Sequence, residues 1–380
     1  MKLLILGWDG ATQRHVADLR LPYIGSLPYR GRLLPEDLFL GAYIDSANAW
    51  TTITTGVPFR DHRVLLFRYP PIRTDTLLAR ALMSIAGSRA MPELSRRLLL
   101  NRVLGPLCRE RRIGAEERER WSGNFKGRVL PVVSTEVRFR RLWDETPGRS
   151  LIFEVPLTYP AIKVEGVLVS GIPAPRFGHA RYPTVFPQQL EESIRRQFPG
   201  YSYDDGLTPV MRSDRPNLAR YLKQLPDTQR KAADAFLSLA SDGDFEFGFC
   251  MMRIIDDYLH AEEQASGVEL AYRTADELSH ELVRAIQPEH VLVLSDHGMK
   301  PVRRPNRGIR MDHDTTQGIW ASDLHLRLRR HVDVAPAVTR VLGTEFRPAR
   351  RAPELEDSGT TVSESETLEI EERLRHLGYL

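Results

Sequence analysis

The sequence is short of the residues from which several kinds of site and scaffold are built. Cysteine occurs twice in 380 residues. Cys108 and Cys250 stand far apart and outside any Cys-x-x-Cys or Cys/His spacing, which excludes a disulfide framework and a thiolate zinc site. Lysine occurs six times among the 53 basic residues, so arginine supplies the other 47. That bias reflects a GC-rich genome rather than a binding surface. The formal net charge is only +3, so the chain as a whole has no drive toward nucleic acid or an anionic membrane. No run approaches the roughly 20 apolar residues of a membrane span. The apolar run at 3–6 follows a single Lys, is too short for a secretory leader and lacks a small-residue cleavage site. The expectation is a cytoplasmic protein with no membrane span and no specific nucleic-acid binding.

What is present is a hydrophobic content of 42%, enough to bury a large core. Residues 3–6 form an apolar run that ends in Gly7-Trp8-Asp9-Gly10, the pattern of a buried parallel strand delivering Asp9 into a loop. Similar runs occupy 151–155, 245–252 and 291–294, with helical periodicity over 187–197 and 268–286 between them. The alternation predicts an α/β sandwich with a mainly parallel sheet flanked by helices. Ligands of such sheets sit beyond the carboxyl ends of the strands, where Asp9, Asp256 and Asp296 fall. Residues 74–121, rich in Leu and Arg with interleaved Glu, read as an inserted helical cap with a solvated, salt-bridged face. The domain reading is therefore a catalytic domain over 1–345, a flexible linker over 346–365, poor in large apolar groups, and a docking helix over 366–380 carrying Leu368, Ile370, Leu374 and Leu377.

The chemistry-bearing residues cluster at strand ends: Asp9, the pair Asp256 and His260, the dipeptide Asp296-His297, and His313 shortly after. Asp256 and His260 are four apart, so on a helix they emerge on one face and can hold one ion. Mixed carboxylate and imidazole ligation suits Zn²⁺, and also Mn²⁺ or Fe. Each residue alone has an ordinary structural explanation as a turn, cap or core residue; their combination points to a site. The segment 46–56 adds five hydroxyls before a Gly, which reads as a helix start capped by Ser or Thr. A helix N-terminus beneath Ser46 would offer free backbone N–H groups to a phosphoryl oxygen.

In this order, the elements resemble the alkaline-phosphatase superfamily in its type I phosphodiesterase/nucleotide pyrophosphatase branch. The resemblance is carried by Leu6-Gly7-Trp8-Asp9-Gly10-Ala11 and by Ser46 ten residues before Gly56, with Trp50 between. It continues through Leu142-Trp143-Asp144, Val155-Pro156-Leu157-Thr158-Tyr159-Pro160 and Ile255-Asp256-Asp257-Tyr258-Leu259-His260, to Leu294-Ser295-Asp296-His297-Gly298-Met299 and the terminal Leu377-Gly378-Tyr379. It implies an alkaline-phosphatase-like fold and a phosphoester hydrolase with Ser46 as nucleophile and two divalent metal ions, zinc first and manganese second. One ion would be held by Asp256, His260 and His313, the other by Asp9, Asp296, His297 and the Ser46 oxygen. Relatives more often have Thr at the nucleophile position. Asn48, the candidate substrate-binding group, stands where many relatives have Pro, and Ala49 stands where nucleotide pyrophosphatases have a phosphoryl-contacting Asn. The expected reaction is hydrolysis of a small-molecule phosphodiester or nucleotide pyrophosphate through phospho-Ser46. A phosphomonoesterase or phosphotransferase of the same superfamily is the first alternative. A sulfatase, which needs x-Pro-x-Arg after its Cys or Ser, and a metal-binding module without catalysis are the others.

Overall fold

The computed structural model describes residues 1–35, 44–62, 64, 134–174, 182–199, 201, 215–261, 265–304 and 308–350. In chain order the elements that position the site begin with β1 (Leu3–Trp8), α1 (Gln13–Leu19), α2 (Pro22–Ser26), β2 (Tyr29–Arg32) and α3 (Ser46–Thr55). They continue with β3 (Ser150–Phe153), β4 (Gly166–Val169), β5 (Val185–Phe186), α4 (Leu190–Gln197), α5 (Arg215–Ser241), β6 (Phe247–Met252), α6 (Ile254–Ala261) and α7 (Ala265–Ile286). β7 (His290–Leu294), β8 (Gly298–Arg304), β9 (Gly308–Asp314), β10 (Ile319–Ser322) and α8 (Val334–Leu342) complete the described chain.

Eight strands form one sheet in the order β2-β10-β7-β1-β6-β3-β4-β5. The central five, β7 to β4, are parallel, and antiparallel strands close both edges. β1 shows why the apolar runs are continuous rather than alternating. Leu4, Leu6 and Trp8 join the cluster that α5, α6 and α7 cover, whereas Leu3 and Ile5 join the cluster under α3 and α8. Both faces of the strand are therefore buried, as expected of the centre of a parallel sheet. This is the α/β sandwich that the sequence predicts. None of the described helices is long and apolar enough to cross a membrane.

The strand predicted over 245–252 begins at Phe247, and the helix predicted over 187–197 begins at Leu190. The cap over 74–121 and the docking helix over 366–380 lie outside the described residues. So does 351–365 of the linker. Of residues 346–350, read as the start of that linker, Phe346 and the Ala349 carbonyl contact the domain. Phe346 lies against the C-terminus of α3, where a Cβ on Gly56 would meet its ring, and the Arg140 N–H donates to the Ala349 carbonyl at 2.9 Å.

Candidate metal and nucleophile site

The site lies at the carboxyl edge of the parallel strands, where β1, β6 and β7 each hand a side chain to one spot. β1 ends in Trp8, and the Asp9 N–H is still held by the Met252 carbonyl of β6 at 3.0 Å. Gly10 turns the chain at φ +72°, a conformation that L side chains rarely adopt, and a Cβ there would stand 3.0 Å from Asp256 Oδ1. Glycine is thus what lets the β1 exit approach α6. The start of α6 is fixed from outside, because Gln229 Oε1 on α5 accepts the N–H groups of Arg253 and Ile254 at 3.0 and 3.3 Å. One turn along, Asp256 and His260 share a face of the helix, with Asp256 Oδ1 3.3 Å from His260 Nε2.

β7 delivers Asp296 and His297, and β8 and β9 then fold back antiparallel with His313 paired to Met299. This register stacks the His313 ring on that of His297, with centroids 3.9 Å apart. His313 Nε2 also lies 3.0 Å from His260 Nε2. The structure therefore brings Asp9, Asp256, His260, Asp296, His297 and His313 together, all buried or nearly so. Two groups of three have ligand atoms mutually within 4.8 Å: Asp9, Asp296 and His297, and Asp256, His297 and His313. His297 thus belongs to both groups and stands between them. The resemblance implied a division in which it serves one ion alone.

Ser46 is the first residue of α3 and fully buried. Its Oγ donates to Asp9 Oδ1 at 2.9 Å and lies 3.1 Å from His297 Nε2. The cap of this helix is Asp45, not Ser or Thr. Asp45 Oδ1 accepts the Ala47 N–H at 3.0 Å and the box is closed by the Asn48 side chain, which faces the Asp45 N–H at 3.4 Å. A carboxylate is a strong cap, so it displaces the hydroxyl from that role and frees Ser46 to face the acidic cluster. The amides of Ala47 and Asn48, expected to be free, are accordingly engaged by Asp45. Asn48 is buried with its side-chain oxygen at the cap. Thr51, Thr52, Thr54 and Thr55 each donate to the carbonyl four residues earlier, and the helix stops at Gly56 with φ +61°.

Hydrogen bonds at the far ring nitrogens define what the imidazoles offer. His297 Nδ1 lies 3.0 Å from the Gly298 carbonyl and His313 Nδ1 2.8 Å from that of Ile44. A carbonyl only accepts, so each Nδ1 carries the proton and each Nε2 presents a lone pair. That lone pair of His297 faces Asp296 Oδ2 at 3.3 Å and Asp9 Oδ1 at 3.8 Å. Asp9 Oδ2 and Asp296 Oδ2 are buried without a hydrogen bond of normal geometry. Burial, then the charges of Asp296 and Asp256, push the Asp9 carboxyl well above the usual range. Burial, then Asp256, push Asp296 to about 7. Burial, then His313, hold the His297 imidazole well below its ordinary value and hence neutral. Burial also opposes ionisation of Asp256, but His260 leads a group of imidazoles that together hold it low. Lone pairs facing lone pairs in a buried pocket are the donor set of a cation site.

Other buried groups frame this cluster and were not singled out from sequence. Arg253 binds Asp257 at 3.0 Å, a pair whose i, i+4 spacing was visible in the chain, and its charge bears on Asp9. The Val64 N–H donates to His62 Nδ1 at 3.0 Å, so Nε2 carries the proton toward Thr52 Oγ1 at 2.9 Å. Arg141 donates to Thr54 Oγ1 and to the Leu157 carbonyl. His331 is fully buried with its ring beside the Asp296 backbone. Only the three-dimensional fold brings these groups against α3, α6 and the Asp296 backbone.

The site is a buried carboxylate and imidazole cluster with a hydroxyl at a helix start, set at the carboxyl edge of an α/β sandwich. The comparisons give the family. The profile described as type I phosphodiesterase / nucleotide pyrophosphatase matches residues 116–358. The chain belongs to this family, and with it to the phosphoric ester hydrolases. The match contains Asp256, His260, Asp296, His297 and His313, whereas Asp9 and Ser46 precede it. Among solved structures, the chain is similar to murine ectonucleotide pyrophosphatase/phosphodiesterase 5, at 9% identity and a TM-score of 0.45, covering 96% of this chain and 100% of that one, in a complex with AMP. It is also similar to the alkaline phosphatase of the Antarctic bacterium TAB5, at 12% identity and a TM-score of 0.41, covering 90% and 98%. None of the curated proteins matches the sequence.

Proposed function

We propose that the protein hydrolyses small-molecule phosphodiesters or nucleotide pyrophosphates through a phospho-Ser46 intermediate, with two divalent cations. The observation that carries this reading is the convergence of Ser46 Oγ, Asp9, Asp296 Oδ2 and the His297 Nε2 lone pair in one buried pocket. Asp9, Asp296, His297 and Ser46 would hold one cation, and Asp256, His260 and His313 the other, with His297 near both. Bound there, divalent cations, zinc first and manganese second, would supply Lewis acidity for the phosphoryl oxygens and the leaving group.

The chain's own residues supply the rest. Asp9 Oδ1 accepts from the Ser46 hydroxyl and so fixes its orientation, and the α3 start holds Oγ against that carboxylate. Ser46 Oγ attacks phosphorus as its proton passes to Asp9 Oδ1, the bond from phosphorus to the leaving oxygen breaks, and that oxygen leaves with a proton from solvent. Water then attacks the phosphorus of phospho-Ser46 and gives one proton to solvent, the bond to Oγ breaks, and Oγ recovers its proton from Asp9. Gly298 and Ile44 hold His297 and His313 in the tautomers that keep both Nε2 atoms unprotonated.

The test is hydrolysis of chromogenic phosphodiesters by metal-stripped protein and by protein reloaded with Zn²⁺ or Mn²⁺. Activity should vanish on stripping and return on reloading. Full turnover in excess chelator, with no metal found by elemental analysis, would refute the two-cation reading.

A further inference from the structure

The loop that follows β1 holds a different part of the site at each of its last three residues. The Gly10 N–H donates to Asp296 Oδ1 at 3.2 Å, the Ala11 carbonyl accepts the Ser295 hydroxyl at 2.9 Å, and Thr12 reaches the start of β8. Thr12 stands at the N-cap position of α1, where a threonine hydroxyl ordinarily serves the helix, yet its side chain makes no cap hydrogen bond. Its buried Oγ1 instead accepts the Met299 N–H at 2.7 Å, while its own N–H donates to Tyr272 Oη of α7, also at 2.7 Å. Met299 is the residue paired with His313. The Met299 N–H is turned to Thr12 and the His313 N–H is held by Asp312 Oδ1 at 3.0 Å, so neither is left for the ladder between the two strands. A rung of this kind brings its side chains close together. Because β8 and β9 form a sheet separate from the main one, the place of this rung relative to the other ligands is set from outside the ribbon, through Met299.

Building on the two-cation reading, we propose that Thr12 is a positioning residue for the cation assigned to Asp256, His260 and His313. Its hydroxyl sets Met299, Met299 sets His313 across the ribbon, and His313 completes that group. The Ile44 carbonyl decides which ring nitrogen of His313 carries the proton; Thr12 decides how far the ring reaches toward His260. Asp9 precedes Thr12 by three residues and keeps its own tie to the Met252 carbonyl, so loss of the hydroxyl releases the hairpin and leaves the other cation group in place. A partner that holds a ligand from behind is typically worth about 10- to 100-fold in cation affinity.

Thr12→Val keeps nearly the same shape and removes the hydroxyl, whereas Thr12→Ser keeps the hydroxyl. Metal-stripped parent and variants are titrated with Zn²⁺ in a calorimeter, and hydrogen exchange of the Met299 amide is followed separately in chelator. In Thr12→Val one of the two binding steps should weaken by about 10- to 100-fold while the other stays within about threefold of the parent, and the Met299 amide should exchange faster. Thr12→Ser should match the parent in both readouts. Thr12→Ala, which also lacks the hydroxyl, is read in the same way should the valine variant not fold. Two unchanged binding steps or unchanged Met299 exchange without the hydroxyl overturns the inference and leaves the proposed function standing. Both steps weakened alike, or a serine variant as weak as the valine one, does the same, since Thr12 then acts on stability alone. A parent that takes up no cation removes the proposed function first, and this inference with it.

Discussion

Replacing Asp296 by Asn is expected to stabilise the protein without divalent cations and to destabilise it with them. Asp296 is fully buried, and its carboxyl is pushed from an ordinary 3.8 to about 7 by burial and by Asp256. A carboxyl raised on folding holds its proton more tightly in the native state. Its stability contribution is therefore fully present below pH 3.8 and is lost as pH rises toward 7. A shift of roughly 3 units at about 1.4 kcal/mol each bounds the cost at about 4 kcal/mol above pH 7. Asp9 and Asp256 repel each other whether or not Asp296 is charged, and relief of its share alone leaves about 2 kcal/mol, or a few degrees in Tm. The assay is a set of thermal melts of parent and Asp296→Asn from pH 5 to 8.5, in chelator and in saturating Zn²⁺ or Mn²⁺. In chelator the variant should melt higher at pH 8, with the gap closing toward pH 5. With cation the order should reverse, because the parent gains the binding free energy and the variant has lost a ligand. A variant that melts below the parent in chelator at pH 8 would refute the reasoning, for the buried charge would then cost nothing.

Two further expectations follow from buried groups around the site. His62 and His331 are held neutral, each lowered to about 3, chiefly by burial and, at His62, also by Arg141. A depressed histidine contributes stability above the unfolded value of 6.5 that is lost as pH falls toward 3. Urea unfolding of metal-free protein should therefore show a loss of several kcal/mol between pH 6.5 and 4, and His331→Phe should flatten this limb; an unchanged slope would contradict the assignment. Gly10→Ala places a Cβ 3.0 Å from Asp256 Oδ1 at φ +72° and should cost about 1–3 kcal/mol in melts. It should also weaken cation binding by titration, and unaltered affinity would show that the β1 exit does not set the position of Asp256.

Much of this architecture was legible because its signals are local. A strand buried on both faces must be apolar at every position, so 3–6 and 291–294 announced the centre of a parallel sheet. The Asp256 to His260 spacing likewise announced a shared helix face. The helix cap was misread for a physical reason. The run of hydroxyls over 46–55 suggests a Ser or Thr cap, whereas Asp45, immediately before it, is the cap and its box partner is Asn48. The sharing of His297 between both ligand groups was invisible, because it depends on the return of β9 against β8. The packing of Phe346 was hidden by polar neighbours that suggested a linker. Gln229, His62 and His331 brace α6, α3 and the Asp296 backbone from elements distant in sequence, so no spacing rule finds them.

The central claim is that Ser46 carries the phosphoryl group. Its hydroxyl is the one that faces Asp9 and His297, whereas Thr51, Thr52, Thr54 and Thr55 of the same helix bond to its backbone and serve as internal controls. Rapid quench of cation-loaded protein with a ³²P-labelled phosphodiester, followed by peptide mapping, should place the label on Ser46. Ser46→Ala should take up no label and lose several orders of magnitude in turnover, while the Asp and His ligands still bind cation. Label on any of the four threonines, or near-normal turnover in Ser46→Ala, would contradict the account.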